Sequence, residues 1–215
     1  MIRLALSAIA LLLLIGGCST SKKVEAAKAS LTIGPVEPPP AYRVLFETTK
    51  GPFTIQVYRP WAPKGADRFY EIVQARFYDG VRFHRVMRNF VAQFGINPNP
   101  NVNAMWRMLK IPDDKPSHKN TRGTMAFAMG GANTRCTQVF VNLADNAVLD
   151  GKGFVPFGEV VDGMENVDRL CLIYGDVAPF GAGPNPTKIE LVGNSYLDRE
   201  YPRLDGIKTA RVSLK

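Results

Sequence analysis

The sequence predicts a mainly β domain: a closed β-barrel with two helices set against it. Three observations predict this. Tyr42–Thr49 and Phe53–Tyr58 both alternate apolar with polar residues, and Lys50-Gly51-Pro52 between them makes a hairpin. A series of further short β-like runs follows, at Val81–Val86, Phe90–Phe94, Thr124–Ala128, Gln138–Asn142 and Phe154–Val161, with a last one at Lys188–Val192. Only two stretches after the amino-terminal segment read as substantial helices. Closing such a set of short strands into a barrel removes its exposed edges.

The chain has 215 residues, 46% hydrophobic and 21% charged, which fits one globular domain with attachments. Residues 1–17 read as a signal peptide. Arg3 gives a positive start, and Leu4–Ile15 is an apolar run too short for the ~20 residues of a spanning helix. The run ends in Leu14-Ile15-Gly16-Gly17-Cys18, which resembles the bacterial lipobox. That resemblance implies a lipidated Cys18 and a membrane-anchored, extracytoplasmic lipoprotein, on the periplasmic face if the cell has two membranes. Residues 18–41, rich in Ser, Lys, Ala and Pro and ending near Pro38-Pro39-Pro40, read as a flexible tether.

Within the domain, expected over 42–194, the first helix falls at Ala62–Gln74. Phe69, Ile72 and Val73 have helical spacing there, and Pro63 sits where a missing N–H is harmless. The second, shorter helix is expected at Met164–Cys171. Asn97–Arg122 carries four prolines and little pattern, as functional or mobile segments do, with one helical turn around Met105–Leu109. Residues 195–215 read as a C-terminal extension in which Leu197, Tyr201, Leu204 and Ile207 line one face.

The formal charge is +8, but the basic residues are scattered and no Lys/Arg run exceeds two. No nucleic-acid partner is expected; a mildly basic protein beside an anionic bilayer fits better. Two His and two Cys in the domain show no metal-ligand spacing, so no metal and no cofactor are expected. Nothing in the sequence pairs Cys136 with Cys171.

Phe83-His84-Arg85-Val86 leads to Phe90-Val91-Ala92-Gln93-Phe94-Gly95. An Arg on a strand among aromatic residues is costly unless its donors are used, which makes Arg85 a candidate site residue. A surface Arg bridging two strands would leave the same trace. Three more segments bear on the choice: Gly123-Thr124-Met125-Ala126-Phe127-Ala128; Gly131-Ala132-Asn133-Thr134-Arg135-Cys136-Thr137-Gln138-Val139-Phe140-Val141-Asn142; and Leu149-Asp150-Gly151 before Phe157-Gly158-Glu159.

In that order and at those separations, these segments resemble the cyclophilin family of peptidyl-prolyl cis–trans isomerases. The resemblance covers about Tyr42–Val192 and implies an eight-stranded antiparallel β-barrel capped by two α-helices. It implies isomerisation of X-Pro bonds in unfolded or flexible proline-containing polypeptides, assisting their folding. Arg85 matches the catalytic arginine, and Phe90, Val91, Phe140 and Leu149 the pocket for the proline ring. Gln93 matches the residue that orients the arginine. Ala126 and Gln138 match the neighbouring groove, and Phe127 stands where a backbone pairs with the peptide.

Two departures stand out. Val148 replaces a Trp common in eukaryotic members, which implies weak cyclosporin binding. Phe154 lies where a pocket-edge His is often found. The competing reading is a chaperone or peptide-binding module of this fold with little turnover. A hydrolase built on Cys136 and His84 needs a base–nucleophile pair that the sequence does not support; if Arg85 faces the cleft, its strand neighbour His84 faces inward or away.

Overall fold

The computed structural model describes residues 37–213. The expected signal segment, Cys18 and most of the tether lie outside them. β1 (Ala41–Thr48) and β2 (Phe53–Tyr58) form the expected hairpin, with Phe46 opposite Phe53 and their rings stacked at 4.8 Å. At the turn, Gly51 has φ +114°, and a Cβ there would lie 2.8 Å from the Asn166 side chain. The positive φ is what favours glycine here, and a side chain would in addition have to displace that of Asn166. The first helix, α1 (Pro63–Gln74), buries Ala66, Phe69, Ile72 and Val73 along one stripe. It packs against β7 (Pro156–Asp162) and β8 (Ile207–Ser213).

With β3 (Arg85–Val86), β4 (Val91–Phe94), β5 (Thr124–Phe127) and β6 (Val139–Asn142), the sheet runs β3-β4-β6-β5-β7-β2-β1-β8. Every pairing is antiparallel. The expected eight-stranded antiparallel architecture is there, but its closure needs correcting. Among the described residues no ladder joins the edges β3 and β8; the segments beside them are linked by an isolated bridge between Arg82 and Gly206. Phe83 N–H donates to the Asp205 carbonyl at 2.9 Å and Ile207 N–H to that of Val81 at 2.8 Å. A strand as short as β3 cannot carry a longer ladder, so the sheet curls around without sealing.

The expected last strand, Lys188–Val192, is a helix. Asn185 caps it, its side chain accepting from Lys188 N–H at 3.2 Å, and Pro186 occupies the first turn. Asn followed by Pro is a helix-start pair, and it outweighs the short apolar run after it. The eighth strand is β8, inside the segment read as an extension, where it pairs with β1. Five helices follow α1: α2 (Pro100–Trp106), α3 (Ala147–Asp150), α4 (Met164–Asp168), α5 (Pro186–Val192) and α6 (Asn194–Glu200). The helix expected at Met164–Cys171 is the shorter α4.

The long segment 97–122 is tied down by Asp114. Its carboxylate accepts from Lys64 N–H at 3.1 Å and Gly65 N–H at 2.9 Å, at the start of α1, and from Arg135 Nη1 at 3.0 Å. Arg135 is 1% exposed. A buried guanidinium needs such a partner, and the pair links this segment, α1 and the loop before β6.

His84 belongs to the core. It is 1% exposed, and neither ring nitrogen has a hydrogen-bond partner of good geometry. Burial, with the Arg85 charge adding to it, pushes its pKa from 6.5 down to about 4. The unfolded chain therefore takes up a proton on this ring before the folded one does. Stability is retained above about pH 6.5 and falls as pH drops toward 4. Chemical unfolding should show a loss of about 2 kcal/mol between about pH 7.5 and about pH 5. His84→Phe should flatten that slope; an equal slope in the variant would overturn this account.

Candidate active site

The site lies on the outer face of β3, β4, β6 and β5, and strand register puts it there. Arg85 pairs with Gln93, Gln93 with Phe140, and Phe140 with Ala126. Directly opposed residues share a face, so these four form one row across four strands. Their strand neighbours Val86, Ala92, Phe94, Val139, Val141, Met125 and Phe127 fill the core on the other face.

Beside the row is a cavity of about 450 Å³ whose walls include Arg85, Phe90, Val91, Phe140, Leu149 and Phe154. Phe140 and Phe154 meet edge to face at 5.7 Å. A network of asparagines fixes this wall from below. Asn146 Nδ2 donates to the Phe90 carbonyl at 2.8 Å and to Asn142 Oδ1 at 2.7 Å. Asn142 Nδ2 donates to Thr124 Oγ1 at 2.9 Å, and Asn120 Nδ2 to the Phe154 carbonyl at 2.8 Å. Asn120 also donates twice to Asp150, through its backbone N–H at 2.8 Å and its side chain at 2.9 Å. These bonds hold the Asp150 carboxyl below its ordinary range and pin α3, which carries Leu149.

Arg85 is held on three sides. Its Nη1 donates to Gln93 Oε1 at 3.2 Å, and its guanidinium carbon lies 5.5 Å from the centre of the Phe90 ring. Gln93 in turn donates to Gln138 Oε1 at 2.9 Å. The third partner is Asp176, which the sequence reading missed. Arg85 Nε donates to Asp176 Oδ1 at 2.6 Å and Nη2 to Oδ2 at 3.4 Å. The bonds from Arg85 hold the Asp176 carboxyl below its ordinary range. Val177 and Phe180, from the same loop, line the cavity as well. The only trace in sequence is the Gly and Pro crowding of Gly175-Asp176-Val177-Ala178-Pro179-Phe180-Gly181-Ala182-Gly183-Pro184, which marks a constrained loop without saying where it folds.

Of the expected site residues, Arg85, Phe90, Val91, Gln93, Phe140, Leu149 and Phe154 share the cavity. Ala126 is buried beneath Val91, Phe140 and Leu149. Gln138 lines a neighbouring groove of about 360 Å³, which Gln93 joins to the cavity. Phe127 is buried with its ring in the core against Phe157, and it lines neither the cavity nor the groove. Val148 is 60% exposed on α3 and is not a wall of the cavity. Cys136 lines the groove, but burial pushes its thiol pKa up, away from a reactive thiolate. His84 is enclosed on the opposite face, so the two make no catalytic pair. Cys136 and Cys171 are free thiols.

A family model described as cyclophilin type peptidyl-prolyl cis-trans isomerase/CLD matches residues 43–180. The peptidyl-prolyl cis-trans isomerase ppi1 of Schizosaccharomyces pombe is 36% identical over 137 residues, 62% of this chain and 87% of that protein. The peptidyl-prolyl cis-trans isomerase-like 1 of Rhizopus delemar is 33% identical over 136 residues, 62% and 82% of the two chains. Among solved structures, a cyclophilin type peptidyl-prolyl cis-trans isomerase of Cryptosporidium parvum, in the presence of the dipeptide Ala-Pro, is similar with TM-score 0.59 and 18% identity. The match covers 80% of this chain and 99% of that one. This last likeness concerns the fold alone.

Proposed function

Because the chain belongs to the cyclophilin-type peptidyl-prolyl cis–trans isomerase family, we propose that it turns X-Pro bonds at Arg85, with the proline ring held in the adjoining apolar cavity. The observation that carries this reading is a single one. A guanidinium with its side chain 23% exposed stands at the wall of a cavity whose apolar lining includes Phe90, Val91, Phe140, Leu149 and Phe154.

The chemistry asks for little more. Rotation about a peptide C–N bond meets a barrier of ~18–20 kcal/mol because resonance gives the bond double-bond character. Halfway round, resonance is lost and the prolyl nitrogen regains a lone pair. Arg85 donates to that nitrogen and to a substrate carbonyl, and grips the twisted amide better than either planar form. The donor is already oriented and partly dry, so little reorganisation accompanies the step. The cavity holds the ring while the preceding residue swings, and Gln93 steadies the guanidinium. No proton moves and no bond breaks.

A preorganised donor of this kind is worth about 10²–10³ in turnover. Arg85→Ala should therefore keep its melting temperature and lose about that factor in kcat/KM on a proline test peptide. The wild-type profile should be nearly flat from about pH 6.5 to about pH 9, since guanidinium does not titrate there. Unchanged turnover in the variant would shift the reading to a peptide-binding module.

Weak cyclosporin binding belongs to the same proposal. Val148 has no N–H to donate where an indole stands in many members, a loss of about 0.5–1.5 kcal/mol per hydrogen bond. Inhibition by the drug should tighten in Val148→Trp; equal inhibition of the two proteins would contradict the expectation.

We further place the enzyme outside the cytoplasm, held by a lipid on Cys18 and assisting the folding of exported polypeptides. The apolar run ending in Gly16-Gly17-Cys18 and the tether after it support this. Fatty-acid labelling should mark the wild type and not Cys18→Ser. Equal labelling of both would remove the anchor.

A further inference from the structure

We propose that Asp176 is a positioning residue for Arg85, held in place by a loop built for that purpose. The inference rests on the assignment of Arg85 above and extends it to a residue that the family resemblance does not supply.

Gln93 alone would hold Arg85 by one hydrogen bond of 3.2 Å, at one end of the guanidinium. A long side chain tethered at one point keeps much of its rotamer freedom. Asp176 grips the opposite edge through Nε at 2.6 Å and Nη2 at 3.4 Å, a two-point contact that sets the plane as well as the place. Phe90 lies along the group at 5.5 Å. An arginine has five N–H donors. Asp176 takes one on Nε and one on Nη2, and Gln93 takes one on Nη1. One donor on each terminal nitrogen remains, enough for a prolyl nitrogen and a carbonyl.

The loop is shaped around this carboxylate. Asp176 Oδ1 also accepts from Val177 N–H at 2.8 Å, and Gly183 N–H donates to the Asp176 carbonyl at 2.8 Å. A Cβ at Gly181 would lie 2.4 Å from that carbonyl oxygen, and one at Gly183 2.6 Å from it. No side chain fits at either position. The loop's ends are anchored to a separate apolar cluster. Tyr174 packs on Tyr201 at 5.1 Å, and Asn185 N–H donates to the Tyr196 hydroxyl at 3.2 Å. Asp176 and Arg85 keep only 22% and 23% of their side chains exposed, so the pair is less screened than one in open solvent.

Positioning and competition predict opposite signs. If Asp176 orients Arg85, removing it lowers kcat and leaves KM nearly unchanged. If the carboxylate instead blocks Arg85 from substrate, removing it raises kcat/KM. The test is steady-state isomerisation of a proline peptide by the whole protein carrying Asp176→Ala or Asp176→Asn, with melting temperatures as the check on folding. The expected result is a loss of about tenfold in kcat for Ala with KM within about twofold. Asn, whose amide oxygen still accepts from Nε–H, should recover part of that loss. In an Arg85→Ala background, Asp176→Ala should cost nothing further. A rise in kcat/KM, a change confined to KM, or wild-type kinetics in both variants overturns the inference. If Arg85→Ala is itself fully active, the assignment of Arg85 fails first; if Arg85→Ala is inactive and Asp176→Ala normal, only the inference fails.

Discussion

A strand sends successive side chains to opposite faces, and the site depends on that alternation more than on any one residue. Across β3, β4, β6 and β5 one set of positions, with Val86, Phe94, Val141 and Met125 among them, closes the core. The other set, Arg85, Gln93, Phe140 and Ala126, forms a continuous row on the outside. A slip of one residue in β4 would carry Phe94 to the outer face and Gln93 into the core, so the apolar face fixes the register of the polar one. Stability and site geometry therefore come from the same hydrogen-bond ladder.

An outer face needs help to become a cleft. The sheet supplies the row, while loops and short helices supply the walls. Phe90 and Phe154 are held by their backbone carbonyls through buried asparagines, and Leu149 rides on α3, which Asn120 ties down through Asp150. Asparagine suits this task, because its amide donates and accepts at once without bringing a charge into the interior. The network is closely satisfied, which lets it rigidify the wall.

The carboxyl-terminal part does more than extend the chain. β8 covers the outer edge of β1. The helices before it, α5 and α6, gather Ile189, Tyr196 and Leu197 with Ile96 and Leu204 into a second small core. That core fastens the loop carrying Asp176 beside Arg85. One segment thus pairs the last strand and brings a carboxylate to the cavity.

Local pattern determined much of this protein. The company of Arg85, Gln93, Phe90 and Phe140 was legible only through the resemblance to the cyclophilin family, whereas the hairpin of β1 and β2, α1 and the face opposition of His84 and Arg85 were legible from alternation and helical spacing. Those signals are short-range, and the physics behind them is local. The helix at Pro186–Val192 was also legible, in Asn185-Pro186, but the apolar run after it read as a strand. Three features were decided only by tertiary structure: the pairing of β8 with β1, the burial of Arg135 against Asp114, and the meeting of Asp176 with Arg85. Each joins groups far apart in the chain, and the last spans 91 positions. Nothing in a residue's neighbours records which distant carboxylate will satisfy a guanidinium, because that choice is made by how the chain packs.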